Sequence, residues 1–298
     1  MKYNVVIAHR VSPCLSKTAV GFSSKFELVR TCSNTLKAAI GKISGMVKLY
    51  VILDGCDKEY EELYNRLFSH SENVEMALIK TASIGNFATY EKQIQVLKNN
   101  LDTDYLYFSE DDYLYLENAF TEMIEMMRTG ADFVSPLDHP DNYNTLYSNA
   151  QVERLVHIAG TTHWQTVDST CLTFMCDPKT FMSALPILRS YSSGIPDTLM
   201  WFGLTKRCVR TPRLFTYLVK HLLRIKLSKR ELLSLWTLKA LRSKCFFTKR
   251  YLLWSPIPTL AIHLSSESLP PLSDKVLEMI PDEARLIIHN IANRYLSE

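Results

Sequence analysis

The chain has 298 residues, with 34 lysines and arginines against 31 acids and a formal net charge of +3. That length can bury a substantial core, and 47% hydrophobic with 22% charged residues excludes wholesale disorder and a coiled coil. No run of about 18 apolar residues is present, which argues against a membrane-spanning helix.

Residues 3–8 form a short apolar run rich in valine and isoleucine, the pattern of a buried strand. Ser24, three residues before Glu27, has capping-box spacing. It predicts a helix to Ile40, with Phe26, Val29, Cys32, Leu36 and Ile40 on one face and Gly41 as its stop. A strand over 47–53 then ends at Asp54-Gly55. A helix over 59–68, a strand over 74–79, a helix over 88–99 opened by Gly85-Asn86, and a strand over 105–108 follow. Strand and helix in alternation, with short connections, predict an α/β fold: a Rossmann-like, mostly parallel sheet flanked by helices.

The second half is less regular. Strands are expected near 132–135, 155–159 and 170–175, with Thr161-Thr162-His163-Trp164 connecting the last two. Asp177-Pro178 opens a short helix, and the loop from Ser192 to Asp197 enters another over 198–206. After Pro212 the pattern becomes helical and basic, a short strand over 258–263 ends at His263, and 273–296 reads as an amphipathic tail. This divides the chain into a main domain over 1–212 and a helical C-terminal region over 213–298.

The charge is unevenly placed: residues 205–250 carry fourteen Lys or Arg and one acid, Glu231. Leucines, Ile225 and Trp236 alternate with those cations over 213–250, as in a helix lying on an anionic membrane; a helical lid with solvated charges fits the same pattern. Nucleic acid ranks last as a partner because no recognition motif accompanies the charge. The opening apolar run meets His9 and Arg10 too soon for a secretory signal, so a cytoplasmic location, peripheral on the inner membrane face, is the expectation. Seven cysteines without a Cys-x-x-Cys pair read as reduced core thiols.

Ligands of parallel sheets collect at the carboxyl ends of the strands. Three polar clusters fall there: Ala8-His9-Arg10, Asp54-Gly55 and Ser109-Glu110-Asp111-Asp112. Adjacent carboxylates repel one another, and a divalent cation with a phosphate compensates them economically. A solvated turn is the structural alternative.

In this order of motifs the chain resembles the GT-A glycosyltransferases, in outline the family-two group of bacterial inverting enzymes, over about residues 1–212 and His263. The resemblance implies transfer of a sugar from a nucleotide-sugar donor to a saccharide or lipid-linked saccharide, in bacterial surface polysaccharide synthesis, with Mn2+ or Mg2+ as cofactor. It implies that Ala8, His9, Arg10, Asp54, Gly85, Asn86, Glu110 and Asp111 hold the donor. Glu110 stands where Asp is usual, which leaves ribose contact and a structural role both open. Asp112 and His263 take the metal in this reading. Asp197, with Pro196 in place of the usual preceding Glu, is the general base, although Asp at a helix start is also an ordinary cap. His163 and Trp164 are assigned to the acceptor, since indole faces suit sugar rings. A sugar nucleotidyltransferase and a non-catalytic binding subunit on the same scaffold are the rivals. The first usually carries a glycine-rich loop after strand one, where this chain has His9-Arg10-Val11-Ser12-Pro13.

Overall fold

The structure, a computed structural model, describes residues 3–14, 22, 24–139, 142–143, 154–206, 239, 241 and 249–264. Most of the basic segment 213–250 and all of the tail 273–296 lie outside the described residues.

The first half follows the expected alternation: β1 (Tyr3–Val11), α1 (Lys25–Ile40), β2 (Val47–Asp54), α2 (Lys58–Phe68), β3 (Val74–Thr81), α3 (Asn86–Lys98) and β4 (Thr103–Ser109). The Ser24 hydroxyl accepts the Glu27 amide at 3.2 Å, the cap that starts α1. Gly41 closes that helix with its backbone still right-handed, at φ −63. β1 pairs in parallel with β2 and β4, and β2 with β3.

Parallel strands covered on both sides must be apolar on both faces, and β1 is. Val5 and Ile7 pack with Val29 and Leu36 of α1 and Tyr64 of α2. Val6 and Ala8 face the other way, against Tyr90, Ile94 and Leu97 of α3. Burying each large apolar side chain contributes about 1.5–3 kcal/mol, so this three-layer sandwich holds the strand ends firmly.

The second half comprises β5 (Tyr113–Tyr115), α4 (Ala119–Arg128), β6 (Phe133–Val134), β7 (Val156–Ala159), β8 (Thr162–Val167), β9 (Phe174–Cys176), α5 (Pro178–Leu188), α6 (Asp197–Thr205), β10 (Leu253–Ile257) and β11 (Ala261–His263). Among the described residues the main sheet has nine strands in the order β3-β2-β1-β4-β9-β6-β10-β8-β7. All run in one direction except β8 and β9, so the sheet is mostly parallel, as expected.

Several expectations need correction. β1 runs three residues past Ala8: it stays paired with β2 through Val11, and the side chains of His9 and Arg10 find partners in Ser109, Tyr64 and Glu110. Thr162, His163 and Trp164 are not a connection but part of β8, which forms a hairpin with β7. Of the strand expected over 258–263 only the end forms one, β11, which pairs with β5 in a separate two-stranded sheet; β10, just before it, was not expected and enters the main sheet between β6 and β8. The sequence reading gave no element between 113 and 131, where β5 and α4 lie.

Candidate active site

The sheet topology assembles the site. His9 of β1 is level with Ser109 of β4, so Arg10, near the end of β1, and Ser12, just beyond it, lie beside Glu110 and Asp111. β2 ends alongside at Asp54, and α3 begins across from it at Asn86. Between them lies a cavity of about 330 Å³ lined by Arg10, Asp54, Gly85, Asn86, Glu110, Asp111 and Asp112, together with Ser12 and Lys25. Its size suits a small-molecule site.

The three acids have different partners. Glu110 pairs with Arg10 through one oxygen at 2.5 Å, and its other oxygen accepts the Leu172 amide at 3.2 Å and the Thr173 hydroxyl at 3.3 Å. Both carboxylate oxygens are therefore used inside the protein. Asp111 accepts Lys25 Nζ at 2.7 Å and the Ser12 amide at 2.9 Å, tying the end of β1 to the start of α1. Burial raises the Asp111 carboxyl above the usual carboxylate range, against the pull of Lys25. Asp112 lies 3.2 Å from His263 Nε2.

That last contact exists because β5 and β11 pair: Tyr113 is level with His263, so the residue before Tyr113 meets the imidazole. The Tyr113 ring stacks on His263 at 4.7 Å, and Cys171 Sγ lies 3.8 Å from His263 Nδ1. Burial would lower the His263 pKa, but Asp112 and Cys171 prevail and hold it well above the ordinary histidine value. One carboxylate and one imidazole form a donor set that suits a divalent cation such as Mn2+. Among the described residues no group of three or more His, Cys, Asp or Glu could enclose a metal ion. A cation here would complete its shell from phosphate and water, as Mg2+ and Mn2+ do.

Asp54 anchors the opposite wall. It accepts the Ile84 amide at 2.7 Å, the Gly85 amide at 2.8 Å and the Thr81 hydroxyl at 2.8 Å. Gly85 has φ +87, a left-handed value that glycine adopts without strain, and it turns the chain into α3. Arg10 reaches the same wall, donating to the Asn86 carbonyl and side-chain oxygen.

Three predicted contacts are corrected by burial and a fourth by distance. Ala8 is 0% exposed, and its carbonyl is taken by Gln93 Nε2 at 2.7 Å. His9 lies beneath the cavity, with Nδ1 2.8 Å from Ser109 Oγ and Nε2 2.7 Å from Tyr64 Oη. Trp164 is 0% exposed, with its indole N–H on the Ala159 carbonyl, so no sugar ring can stack on it. His163 is exposed on β8, four strands from β4. Four strand spacings amount to about 19 Å, which removes His163 from the cavity.

Asp197 is half-buried at the first position of α6, where it accepts the Thr198 amide at 2.7 Å. Burial raises its carboxyl above the ordinary value; the Thr198 amide opposes this, Glu110 adds to it and His263 opposes it. Asp197 is not among the residues that line the cavity. Lys25 was missed by the sequence reading. The signal was the Ser24 cap, which puts Lys25 on the first turn of α1, facing the strand ends.

Buried His9 has a clear pH consequence. Burial lowers its pKa from 6.5 to about 3, so below 6.5 the unfolded chain binds a proton that the folded chain refuses. Its contribution to stability is complete above that value and is lost as pH falls toward about 3. Urea titrations should show the wild type losing up to about 1.4 kcal/mol per pH unit there relative to His9→Gln. Parallel pH profiles of the two proteins would refute a neutral buried imidazole.

No protein-family model matches the chain, and no curated protein matches it. Solved structures similar to it include the apo bifunctional glycosyltransferase WbbM, at 9% identity and TM-score 0.45 over 98% of this chain and 50% of that one. The mannosyltransferase PcManGT from Pyrobaculum calidifontis, in complex with GDP-Man and Mn2+, is 11% identical at TM-score 0.43, covering 82% and 74%. The 4-diphosphocytidyl-2C-methyl-D-erythritol synthase from Anaerococcus prevotii is 12% identical at TM-score 0.37, covering 69% and 83%. The chain spans half the length of WbbM. With similarity this distant, what the cavity does has to be read from its own residues.

Proposed function

We propose that the chain is a GT-A-type glycosyltransferase that moves a sugar from a nucleotide-sugar donor to a saccharide hydroxyl, with inversion at the transferred carbon. The observation that carries this reading is Asp112 beside His263, on the rim of a cavity whose other wall is Asp54, Gly85 and Asn86. Asp112 and His263 would hold Mn2+ or Mg2+. The cation supplies Lewis-acid neutralisation of the leaving diphosphate when bound. Arg10 keeps Asn86 and Glu110 in place, and Asp54 fixes the turn into α3, so the donor wall is set before a ligand arrives.

Asp197 accepts the proton of the attacking hydroxyl in this scheme. A carboxylate with a raised pKa is a stronger base near neutral pH. It must be ionised to act, so the rate falls as pH drops through that raised value. The resemblance to family-two enzymes extends the reading to a lipid-linked acceptor and bacterial surface polysaccharide. Among the described residues no helix is long and apolar enough to cross a membrane, and any membrane contact would fall to the basic segment 213–250.

The test is consumption of a nucleotide-sugar panel with Mn2+, with and without saccharide acceptors. Asp197→Asn is expected to lower kcat by about 10²–10⁴-fold while donor KM stays close to the wild-type value. A wild type that consumes no donor overturns the proposed function. A variant at full rate removes Asp197 as the base.

A further inference from the structure

A second concavity adjoins the donor cavity. It is a groove of about 580 Å³ that shares Gly85 and Asn86 with the first and continues along α3. Two large apolar side chains flank the shared residues, Ile84 at 45% and Phe87 at 46% exposed. Both side chains line the one groove, so they expose apolar surface together rather than singly.

The Phe87 ring is held in place. It meets Tyr191 edge-on at 5.2 Å and 64°, and Tyr191 is itself 8% exposed, with its hydroxyl accepting Asn86 Nδ2 at 2.9 Å. The ring therefore stands on a fixed base tied to the donor wall and loses little freedom when a ligand covers it. Polar groups surround it. Glu91, Lys92 and Gln95 lie one helical turn and two turns along the same face of α3, and Ala88 between them leaves space above the first turn. Ser192 closes the far side, donating to Glu91 at 3.0 Å, in the turn that leads to Asp197.

A pyranose ring presents one C–H face and a rim of hydroxyls. A half-exposed aromatic ring bordered by an ammonium and an amide complements both, beside a Glu91 carboxylate already held by Arg189 at 2.9 Å and Ser192 at 3.0 Å. From this we infer that the Phe87 groove is a saccharide subsite, holding a sugar unit of the acceptor next to the donor cavity. It takes the place that Trp164 cannot fill. This inference rests on the proposed glycosyl transfer, but its test does not need turnover.

Saturation-transfer NMR on the purified chain, with methyl hexopyranosides and short oligosaccharides as probes, reads the groove directly. At least one probe is expected to bind with its C–H protons nearest the protein. Phe87→Ala should weaken that binding by about tenfold or more, and Phe87→Trp, which keeps an aromatic plane, should restore it. Thermal melting checks that each variant is folded, which half-exposed Phe87 makes straightforward. Binding unchanged in Phe87→Ala, or absent for every probe in the wild type, overturns the subsite. Nucleoside diphosphate binding, measured on the same wild-type sample, reports separately on the donor cavity: its absence with saccharide binding intact would sink the transferase reading and leave a saccharide-binding groove.

Discussion

Asp112→Asn is expected to lower kcat for sugar transfer by about 10²–10³-fold, the cost of removing one group that stabilises developing charge. The reason is that its two neighbours cannot replace it. Both oxygens of Glu110 are engaged by Arg10, Leu172 and Thr173, and both oxygens of Asp111 by Lys25 and Ser12. To move either acid onto a cation, an ion pair with a mostly buried base would have to break. Asparagine keeps the shape of Asp112 and removes its charge, so the fold should persist and Mn2+ activation should weaken. His263→Gln should act in the same direction with a smaller loss, because an amide oxygen can still ligate. Steady-state rates across an Mn2+ titration measure both effects. An Asp112→Asn enzyme that keeps wild-type kcat and the wild-type Mn2+ midpoint would end the assignment of Asp112 as the metal carboxylate.

The second large effect is on stability. Arg10→Met removes the cation from a pair whose side chains are only 10% and 17% exposed, and it also releases the Asn86 contacts. Glu110 then remains enclosed without its counter-charge, a loss of about 3–5 kcal/mol for such pairs. Urea unfolding with an unchanged slope is the measurement. Adding Glu110→Gln removes the stranded charge, so the double variant should recover part of the loss rather than add to it. A single-variant loss under about 1 kcal/mol, the value typical of exposed pairs, would show that water screens this ion pair.

How much of this was readable in the sequence depended on whether a residue's partners were near it. β1 through β4 and the helices between them follow from apolar runs, the Ser24 cap and the Gly85 turn, all local signals. That is why Arg10, Asp54, Gly85, Asn86 and the three acids could be placed around one cavity. Ala8 and His9 were assigned to the donor by the family resemblance, on the reading that β1 ends at Ala8. Ser109 and Tyr64, distant in sequence, instead let β1 continue past it. Trp164 looked available for a sugar because nothing local announces that it joins a core cluster with Met123, Val134 and Met175, all distant in sequence. Lys25 and Phe87 escaped notice for the opposite reason: single residues at helix starts carry no pattern of their own.

The pairing of β5 with β11 has a consequence for how the protein comes into being. Most of the second half of the chain separates these two short strands, so their contact is among the last that chain entropy permits. The α/β layers around β1 can close from neighbouring segments as they emerge. The imidazole reaches its carboxylate only after residue 263 has been made and β11 has docked on β5. A chain that stopped before β11 would therefore hold the wall of Asp54 and Gly85 without the contact between Asp112 and His263.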